Sequence, residues 1–211
     1  MKVAILCETS ATVRDAFRAR GHLAASVDLL PSDRGAHDPH HVQADAVEFL
    51  LSQLAAGGRF DLIIAHPPCT ALSVSGNHVY AAGKPKHSQR LAAIQWTEQL
   101  WLLALAVGAR VAFENPVGVL ATQSRIMPRP VYVQPYDFGE DASKRTALFL
   151  HGLQPLARTC RIPGRVTAAG VERWGNQTDS GQNRLGPSPD RWKLRSATYP
   201  GIARAMAEQW G

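Results

Sequence analysis

Residues 60–70 read Phe-Asp-Leu-Ile-Ile-Ala-His-Pro-Pro-Cys-Thr, and this stretch decides how the fold is interpreted. Its first part is a short, continuous apolar run, which is typical of a strand buried on both faces of a parallel sheet. The pair Pro67-Pro68 then removes two backbone donors and restricts the chain, so the strand ends before it. The polar residues that follow are therefore expected at the carboxyl edge of the sheet, where ligands bind in open α/β proteins.

Strand and helix patterns alternate on both sides of this run. Further strands are predicted at 2–7, 23–29, 110–113 and 146–150. Two helices are predicted at 11–20 and 47–55. A long helix is predicted after a capping Ser88, with one apolar face that carries Leu91, Ile94, Trp101, Leu102 and Leu105. A last helix is predicted at 200–210, with Ile202, Met206 and Trp210 on one face. This order predicts an α/β fold with a Rossmann-like, doubly wound, mostly parallel sheet.

The length and composition indicate one domain. The 211 residues, of which 45% are hydrophobic, suffice for one well-buried core, so we expect a single unit over 1–211. Residues 151–190 lack periodicity and are rich in Gly, Pro, Arg, Asn and Gln, which predicts a loop-rich insertion that either faces a substrate or is a solvated excursion. The apolar start of the chain is too short for a signal peptide or a membrane span, so a cytoplasmic protein without a membrane partner is expected.

The charge and the cysteines narrow the function classes. A net charge of +6 and a pI near 9.6 favour a polyanionic or phosphate-bearing partner, although a basic surface alone does not establish one. Cys7, Cys69 and Cys160 are widely spaced, which disfavours a disulfide framework and a structural zinc site. The His-rich cluster at 37–41 lies in a predicted loop without a second ligand cluster, so no metal is predicted.

Two polar clusters follow predicted strands. The prolines before Cys69 favour a rigid turn that presents the thiol outward, the alternative being an ordinary packing cysteine beside a turn. Glu114-Asn115-Pro116 follows the strand at 110–113, the alternative for Glu114 being a surface carboxylate. Glu114 follows Cys69 by 45 positions, which allows a loop, a helix and a return strand, so a thiol and a carboxylate are expected in one cleft.

In this order, Pro67-Pro68-Cys69 and Glu114-Asn115-Pro116 resemble the nucleophile and Glu-Asn motifs of the DNA cytosine-5 methyltransferase family. The runs at 137–139 and 143–145, with the strand at 146–150, resemble the family's Asp-Tyr-Gly and Gln-x-Arg-x-Arg segments, and 195–200 with the last helix resembles its closing motifs. The whole chain is similar to small phage and prophage proteins of this family. The resemblance implies the class I S-adenosylmethionine-dependent methyltransferase fold and action in the cytoplasm of a bacterial host.

The resemblance also implies catalytic roles. The thiolate of Cys69 would add to carbon 6 of cytosine, and Glu114 would hydrogen-bond ring nitrogen 3. Asn115 would hold the loop, while Arg145 would bind the base or lower the pKa of the thiol. The base that removes the carbon 5 proton is not identified.

The implied cofactor is S-adenosylmethionine. The loop at 7–11 lacks the family's glycines, so Glu8 is expected to meet the amino-acid end of the cofactor, with Thr9, Ser10 and Pro67 nearby. Asp28 ends a predicted strand, where it would either bind the ribose or cap the strand. Asp45 would contact the adenine, although a helix N-cap is the favoured interpretation for this residue.

Substrate contacts are expected from His66, Pro68, Lys144, Trp174 and Asn176, with several arginines of 158–184 as phosphate contacts. Only about forty residues, at 151–190, stand where the family carries a target-recognition domain. Three hypotheses remain open: methylation of DNA, including single-stranded or modified DNA; methylation of a free cytidine nucleotide; and a nucleic-acid or nucleotide-binding protein with little or no transfer activity. The sequence does not indicate an oligomeric state.

Overall fold

The computed structural model describes residues 1–188 and 196–211; Arg195 of the closing motif and the end of the predicted insertion lie outside the described residues. The strands are β1 (Lys2–Leu6), β2 (Leu23–Asp28), β3 (His41–Gln43), β4 (Leu62–Ala65), β5 (Val111–Pro116), β6 (Val131–Val133), β7 (Thr146–His151), β8 (Arg165–Val166) and β9 (Glu172–Arg173). The helices are α1 (Thr12–Ala19), α2 (Ala46–Ala55), α3 (Asn77–Tyr80), α4 (His87–Val107), α5 (Leu120–Gln123) and α6 (Pro200–Gln209). Short 3-10 turns cover Val74–Gly76 and Pro135–Asp137.

Seven of the described strands form one sheet in the order β3-β2-β1-β4-β5-β7-β6. Strands β1 to β5 are parallel to one another, and β7 runs antiparallel to both β5 and β6. The chain winds outward from β1 to β3 and then returns to place β4 on the other side of β1. A topological switch point therefore lies between the carboxyl ends of β1 and β4, where doubly wound sheets bind ligands.

Helices cover both faces of the sheet. Leu50 of α2 and Trp101 of α4 pack with Phe113 and other sheet residues in one core cluster. Phe17 of α1 and Met206 of α6 pack with Ile64 on the opposite face. The predicted doubly wound α/β architecture is confirmed.

Helix α6 closes one of these faces, as its apolar spacing predicts. Ile202, Met206 and Trp210 are all at most 3% exposed. A Cβ on Gly201 would lie 1.9 Å from the carbonyl oxygen of Phe138, so only glycine allows the helix to approach this close. The Glu140 carboxylate accepts a hydrogen bond from the Gly201 amide, which anchors the start of α6 to the segment before β7.

The prediction for helix α4 is wrong in two details. The helix begins at His87, so Ser88 lies inside it, and the Lys86 N-cap makes no side-chain capping bond. The buried face carries Arg90, Ile94, Thr97 and Trp101, whereas Leu91 and Leu102 are about half exposed. Apolar side chains occur on most sides of this helix, so periodicity alone does not select the face that packs on α2 and the sheet.

Among the described residues, no helix is both long and apolar enough to cross a membrane.

Two strands also differ from the prediction. The end of the predicted loop at 32–41 continues into the edge strand β3, which pairs with β2. Glu114, Asn115 and Pro116 do not follow a strand but form the second half of β5. They stay extended because β7 pairs with them after β4 has ended at Ala65.

The loop before β3 contains a buried ion pair between Arg14 of α1 and Asp38. The Asp38 carboxylate also accepts hydrogen bonds from the Ser32 hydroxyl and the His40 amide. Burial alone would raise the pKa of Asp38, but these hydrogen bonds and the Arg14 charge hold it well below its ordinary value. Asp38 thus holds the loop in place through these contacts. The described residues contain no group of three or more His, Cys, Asp or Glu side chains that could hold a metal ion.

Asp38→Asn is expected to destabilise the fold by about 1–3 kcal/mol at pH 7, because Arg14 loses a buried anionic partner. The pKa of Asp38 is lower in the folded state, so the stabilisation is complete above its ordinary value of 3.8 and is lost as the pH falls below it. Urea unfolding of both proteins at pH 7 and near pH 3 measures this. A stability difference of the same size at both pH values would contradict the assignment.

Candidate active site

The strand register brings the two polar clusters together. Strands β4 and β5 are parallel, with Ile64 beside Ala112 and Ala65 beside Phe113. Continuing this register by one residue places His66 beside Glu114. Accordingly, His66 Nδ1 lies 3.0 Å from Glu114 Oε2, and both side chains are at most 10% exposed.

Glu114 is a buried carboxylate in a polar environment. Burial would raise the pKa of Glu114, but the His66 hydrogen bond, the charges of Lys144 and His66, and a Thr146 hydrogen bond together lower it. Thr146 begins β7 on the neighbouring strand, and Lys144 lies two residues before it. The Glu114 carboxylate is therefore ionised at neutral pH.

The sequence pattern does not single out two hydroxyl groups near this pair. One is that of Thr146, and the other is that of Thr198, which lies 3.5 Å from His66 Nδ1.

Asn115 connects β5 to the loop that carries Cys69. Its side-chain amide donates a 2.9 Å hydrogen bond to the carbonyl oxygen of Pro67. Asn115 is 2% exposed, and its Oδ1 has no hydrogen-bond partner among the described residues. Pro67 is buried and Pro68 is exposed, so the chain emerges from the sheet between them.

The loop after Cys69 is held in place by backbone contacts. The Cys69 carbonyl accepts hydrogen bonds from the amides of Leu72 and Ser73, which closes a turn directly after the cysteine. Ser73 then pairs with Gly118, where a Cβ would lie 2.3 Å from the Leu72 carbonyl oxygen. Cys69 itself is partly exposed, so this residue is neither fully packed nor fully open to solvent.

Arg90 of helix α4 holds the same loop from inside. It is 2% exposed and donates hydrogen bonds to the carbonyl oxygens of Ala71 and Ser73 and to Asn77 Oδ1. Arg90 was not predicted as a site residue. Its helical spacing from Ile94 and Trp101 is the signal that puts this arginine on the buried face of α4. A buried guanidinium that binds backbone carbonyls orders the segment that begins at Cys69.

Arg90→Met is expected to lower the free energy of unfolding by about 2–4 kcal/mol, because the Ala71 and Ser73 carbonyls and Asn77 Oδ1 lose their donor and the Arg90 side chain is buried. Urea denaturation measures this loss, and faster hydrogen exchange at the Leu72 and Ser73 amides would locate it in the loop. Arg59→Met is the matched control, since Arg59 is exposed and donates a hydrogen bond to the carbonyl of the adjacent Gly58. Equal stabilities of the two variants would exclude the proposed role of Arg90.

Cys7 and Cys160 differ from Cys69. Burial, with the charges of Asp28 and Asp45, raises the pKa of the Cys7 thiol to about 12, so Cys7 is protonated at neutral pH. Cys160 is exposed and lies in the segment that pairs with Phe138. Cys69 is the cysteine on the loop beside Glu114.

The turn between β1 and α1 forms without glycine. Cys7 and Ala11 take left-handed conformations, with φ of 58° and 61°, at its two ends. Such conformations are strained for residues other than glycine and persist where the surrounding structure holds them. The Cys7 amide is held by the Val27 carbonyl, and the Thr9 carbonyl by the Asp33 amide.

Glu8 was expected to meet the amino-acid end of a cofactor, and its carboxylate already has partners within the chain. Its buried carboxylate accepts hydrogen bonds from the amides of Val13 and Arg14 and from the Ser10 hydroxyl. It therefore caps α1 from within the chain instead of being free to meet a ligand's amino group. Thr9 and Ser10 remain partly exposed in this turn.

Asp28 and Asp45 lie near Cys7 at the carboxyl edge of the sheet, since the charges of both raise the pKa of the Cys7 thiol. Asp45 caps helix α2 by accepting hydrogen bonds from Val47 and Glu48, which is the interpretation favoured by the sequence. Asp28 ends β2, is partly buried, and accepts one hydrogen bond from the Leu30 amide.

Lys144 and Arg145 precede β7 but have different surroundings. The Lys144 ammonium lies 3.4 Å from the Ala197 carbonyl oxygen and close enough to Glu114 to lower the pKa of that carboxyl. The Arg145 guanidinium lies 4.0 Å from the ring centre of Tyr132, on the edge strand β6. The site therefore includes Lys144, whereas a role of Arg145 toward the thiol or the base stays a prediction.

Trp174 and Asn176 make contacts within the chain, and their contact with a substrate stays a prediction. Trp174 is 7% exposed, stacks on Tyr136 at 3.8 Å and donates its indole N–H to the Ile162 carbonyl. One ring face and its only donor are thus already engaged. The Asn176 side-chain amide donates to the Ser143 carbonyl and accepts from the Ser143 amide, so it holds the segment next to Lys144 in place.

The strand order with the reversed β7 defines a Rossmann-like, doubly wound, mostly parallel α/β fold, the architecture expected from the sequence. Its assignment rests on the strand order and not on sequence likeness, because no family model and no curated protein matches the chain.

Solved structures with some similarity include NSun6 from Pyrococcus horikoshii with SFG, at 13% identity and a TM-score of 0.44 over 72% of this chain and 48% of that one. Another is a SAM-dependent methyltransferase from Neisseria gonorrhoeae, at 13% identity and a TM-score of 0.37 over 72% of this chain and 63% of that one. The chain thus spans about half of the first protein and less than two thirds of the second.

Proposed function

We propose that this chain is a methyltransferase that transfers a methyl group from S-adenosylmethionine to carbon 5 of cytosine through a covalent adduct on Cys69. One observation carries the proposal. The partly exposed Cys69 is on a loop that Asn115 and Arg90 hold at the switch point of the sheet, and the buried carboxylate of Glu114 lies on the adjoining strand.

The two side chains suit the chemistry that cytosine requires. Carbon 5 of cytosine is a weak nucleophile, and addition of a thiolate at carbon 6 makes it electron-rich. Cys69 supplies that thiolate. Glu114, on the adjoining strand, would stabilise the negative charge that develops at ring nitrogen 3 by supplying a proton there. When carbon 5 later loses its proton, the bond from sulfur to carbon 6 breaks and Cys69 is restored.

The residues at the switch point fit this cofactor better than a dinucleotide. A helix N-terminus in such folds commonly binds a phosphate, but here the Glu8 carboxylate occupies the first amides of α1. A second anion at this place would be repelled, which favours a nucleoside without phosphate. Asp28 would bind the ribose hydroxyls, and the bound cofactor would supply an electrophilic methyl group.

The size of the insertion bears on the substrate. Its described part, up to residue 188, contains the two-residue strands β8 and β9 and packs Trp174 and Asn176 against its own chain. Such a small unit offers little surface to stabilise a duplex from which a base has been extruded. We therefore favour single-stranded DNA as the substrate, with a free cytidine nucleotide as the second candidate.

The test is methyl transfer from radiolabelled S-adenosylmethionine to single-stranded DNA, duplex DNA and dCMP. We expect label in single-stranded DNA, at carbon 5 of cytosine. Label in dCMP alone would overturn the polymer substrate but leave the mechanism intact. No label in any of the three, together with no heat of cofactor binding in calorimetry, would favour a binding protein that lacks transfer activity.

A further inference from the structure

His66 lies next to Glu114, but the chemistry proposed above gives it no role. His66 directly follows β4, and its side chain is 10% exposed. Its Nδ1 faces Glu114, while its Nε2 is buried and has no hydrogen-bond partner among the described residues. Leaving a buried polar atom without a partner costs about 1–3 kcal/mol, so a ligand that contacts this end of the ring would remove a penalty.

Glu114 poses a complementary problem. An acid that assists at ring nitrogen 3 must carry a proton, because this nitrogen of neutral cytosine is an acceptor. Yet the charges and hydrogen bonds around Glu114 favour its ionised form. Glu114 is also buried from solvent, so the proton must come from a neighbouring group.

We propose that His66 supplies this proton, so that His66 and Glu114 act as one acid toward ring nitrogen 3; the inference rests on the proposed function. In the protonated pair, the imidazolium donates a hydrogen bond from Nδ1 to the ionised Glu114. As the Cys69 sulfur bonds to carbon 6, the Nδ1 proton moves to the Glu114 carboxylate and one proton moves from Glu114 to nitrogen 3, so that Glu114 ends ionised and His66 neutral. When the adduct collapses, the nitrogen 3 proton returns through Glu114 to His66 Nδ1.

The surroundings of the pair are consistent with one shared proton. Glu114 faces it from β5, and the Lys144 ammonium faces it from the segment before β7. The Thr146 and Thr198 hydroxyls approach from β7 and from the segment before α6. Cys69 follows His66 by three residues on the same loop. Activity is then expected to fall as the pH rises, because the proton that the two groups share is lost.

His66→Asn separates proton supply from a merely structural role. Asparagine places an amide donor near the position of Nδ1 and can still hydrogen-bond Glu114, but it cannot release a proton at neutral pH. We expect kcat to fall about a hundredfold with little change in KM for the nucleotide. The fall in rate at alkaline pH that belongs to the pair should also disappear. His66→Gln places its amide near Nε2 and should lose the Glu114 contact as well.

The outcomes are distinguishable. If wild type transfers label and His66→Asn matches it in rate and pH profile, the inference is wrong while the proposed function stands. If wild type transfers no label, the proposed function fails and the inference fails with it. Independently of activity, the imidazole ¹⁵N chemical shifts of His66 at one pH should differ between Glu114→Gln and wild type, because Nδ1 faces the replaced carboxylate. Unchanged chemical shifts would overturn the pairing itself.

Discussion

Replacing Cys69 with serine is expected to lower methyl transfer to cytosine by about 10³-fold or more, the scale seen when an enzyme loses its covalent nucleophile. A serine hydroxyl is a poor nucleophile without an adjacent general base, whereas a thiol forms the reactive anion far more readily. The rate of label transfer from S-adenosylmethionine to single-stranded DNA measures this loss.

Cys160→Ser is the matched control for Cys69→Ser. Cys160 is exposed and lies where the segment after β7 pairs with Phe138, so its replacement should leave the rate within about twofold. Cofactor binding should be the same in both variants by calorimetry. If Cys69→Ser kept a tenth of the wild-type rate, the nucleophile would have to be sought elsewhere.

Glu114→Gln is expected to reduce kcat by about 10²–10⁴-fold, the usual contribution of a general acid or base. Glutamine has nearly the same shape and can hydrogen-bond, but it cannot transfer a proton to ring nitrogen 3. Single-turnover rates with saturating nucleotide separate this loss from weaker binding.

Glu172→Gln is the control for Glu114→Gln, because Glu172 lies on β9 and contacts Arg161 and Gly164 within the insertion. It should retain nearly full activity. A Glu114→Gln variant that folds as wild type and turns over within threefold of it would show that the carboxyl group has no part in catalysis.

Much of the site follows from sequence because strand register relates residues far apart in the chain. Residues 66–67 and 114–115 continue two adjacent parallel strands, so the contacts from His66 to Glu114 and from Pro67 to Asn115 have the same spacing of 48. The apolar run at 60–65 and the double proline were enough to predict that the strand ends there. They did not predict that β7 would keep Glu114 in extended conformation, since antiparallel pairing depends on a distant segment.

Glu8 and Asn176, which were expected to contact ligands, share a physical feature. Glu8 is next to free amides of α1, and Asn176 is next to the backbone of Ser143. A polar side chain close to unpaired backbone groups satisfies them first, and motif position does not reveal this competition. Arg90 was missed for the opposite reason, because an arginine in a long helix is most often solvated.

Covalent trapping tests the central claim most directly. A cytosine that carries fluorine at carbon 5 cannot lose a proton there after methylation, so the bond between sulfur and carbon 6 should persist. We expect the intact mass of the protein, incubated with S-adenosylmethionine and a single-stranded 5-fluorocytosine oligonucleotide, to increase by the methylated oligonucleotide. Peptide mapping should locate the adduct at Cys69. A stable adduct on Cys7 or Cys160, or label transfer to ordinary cytosine without any trapped adduct, would contradict the account.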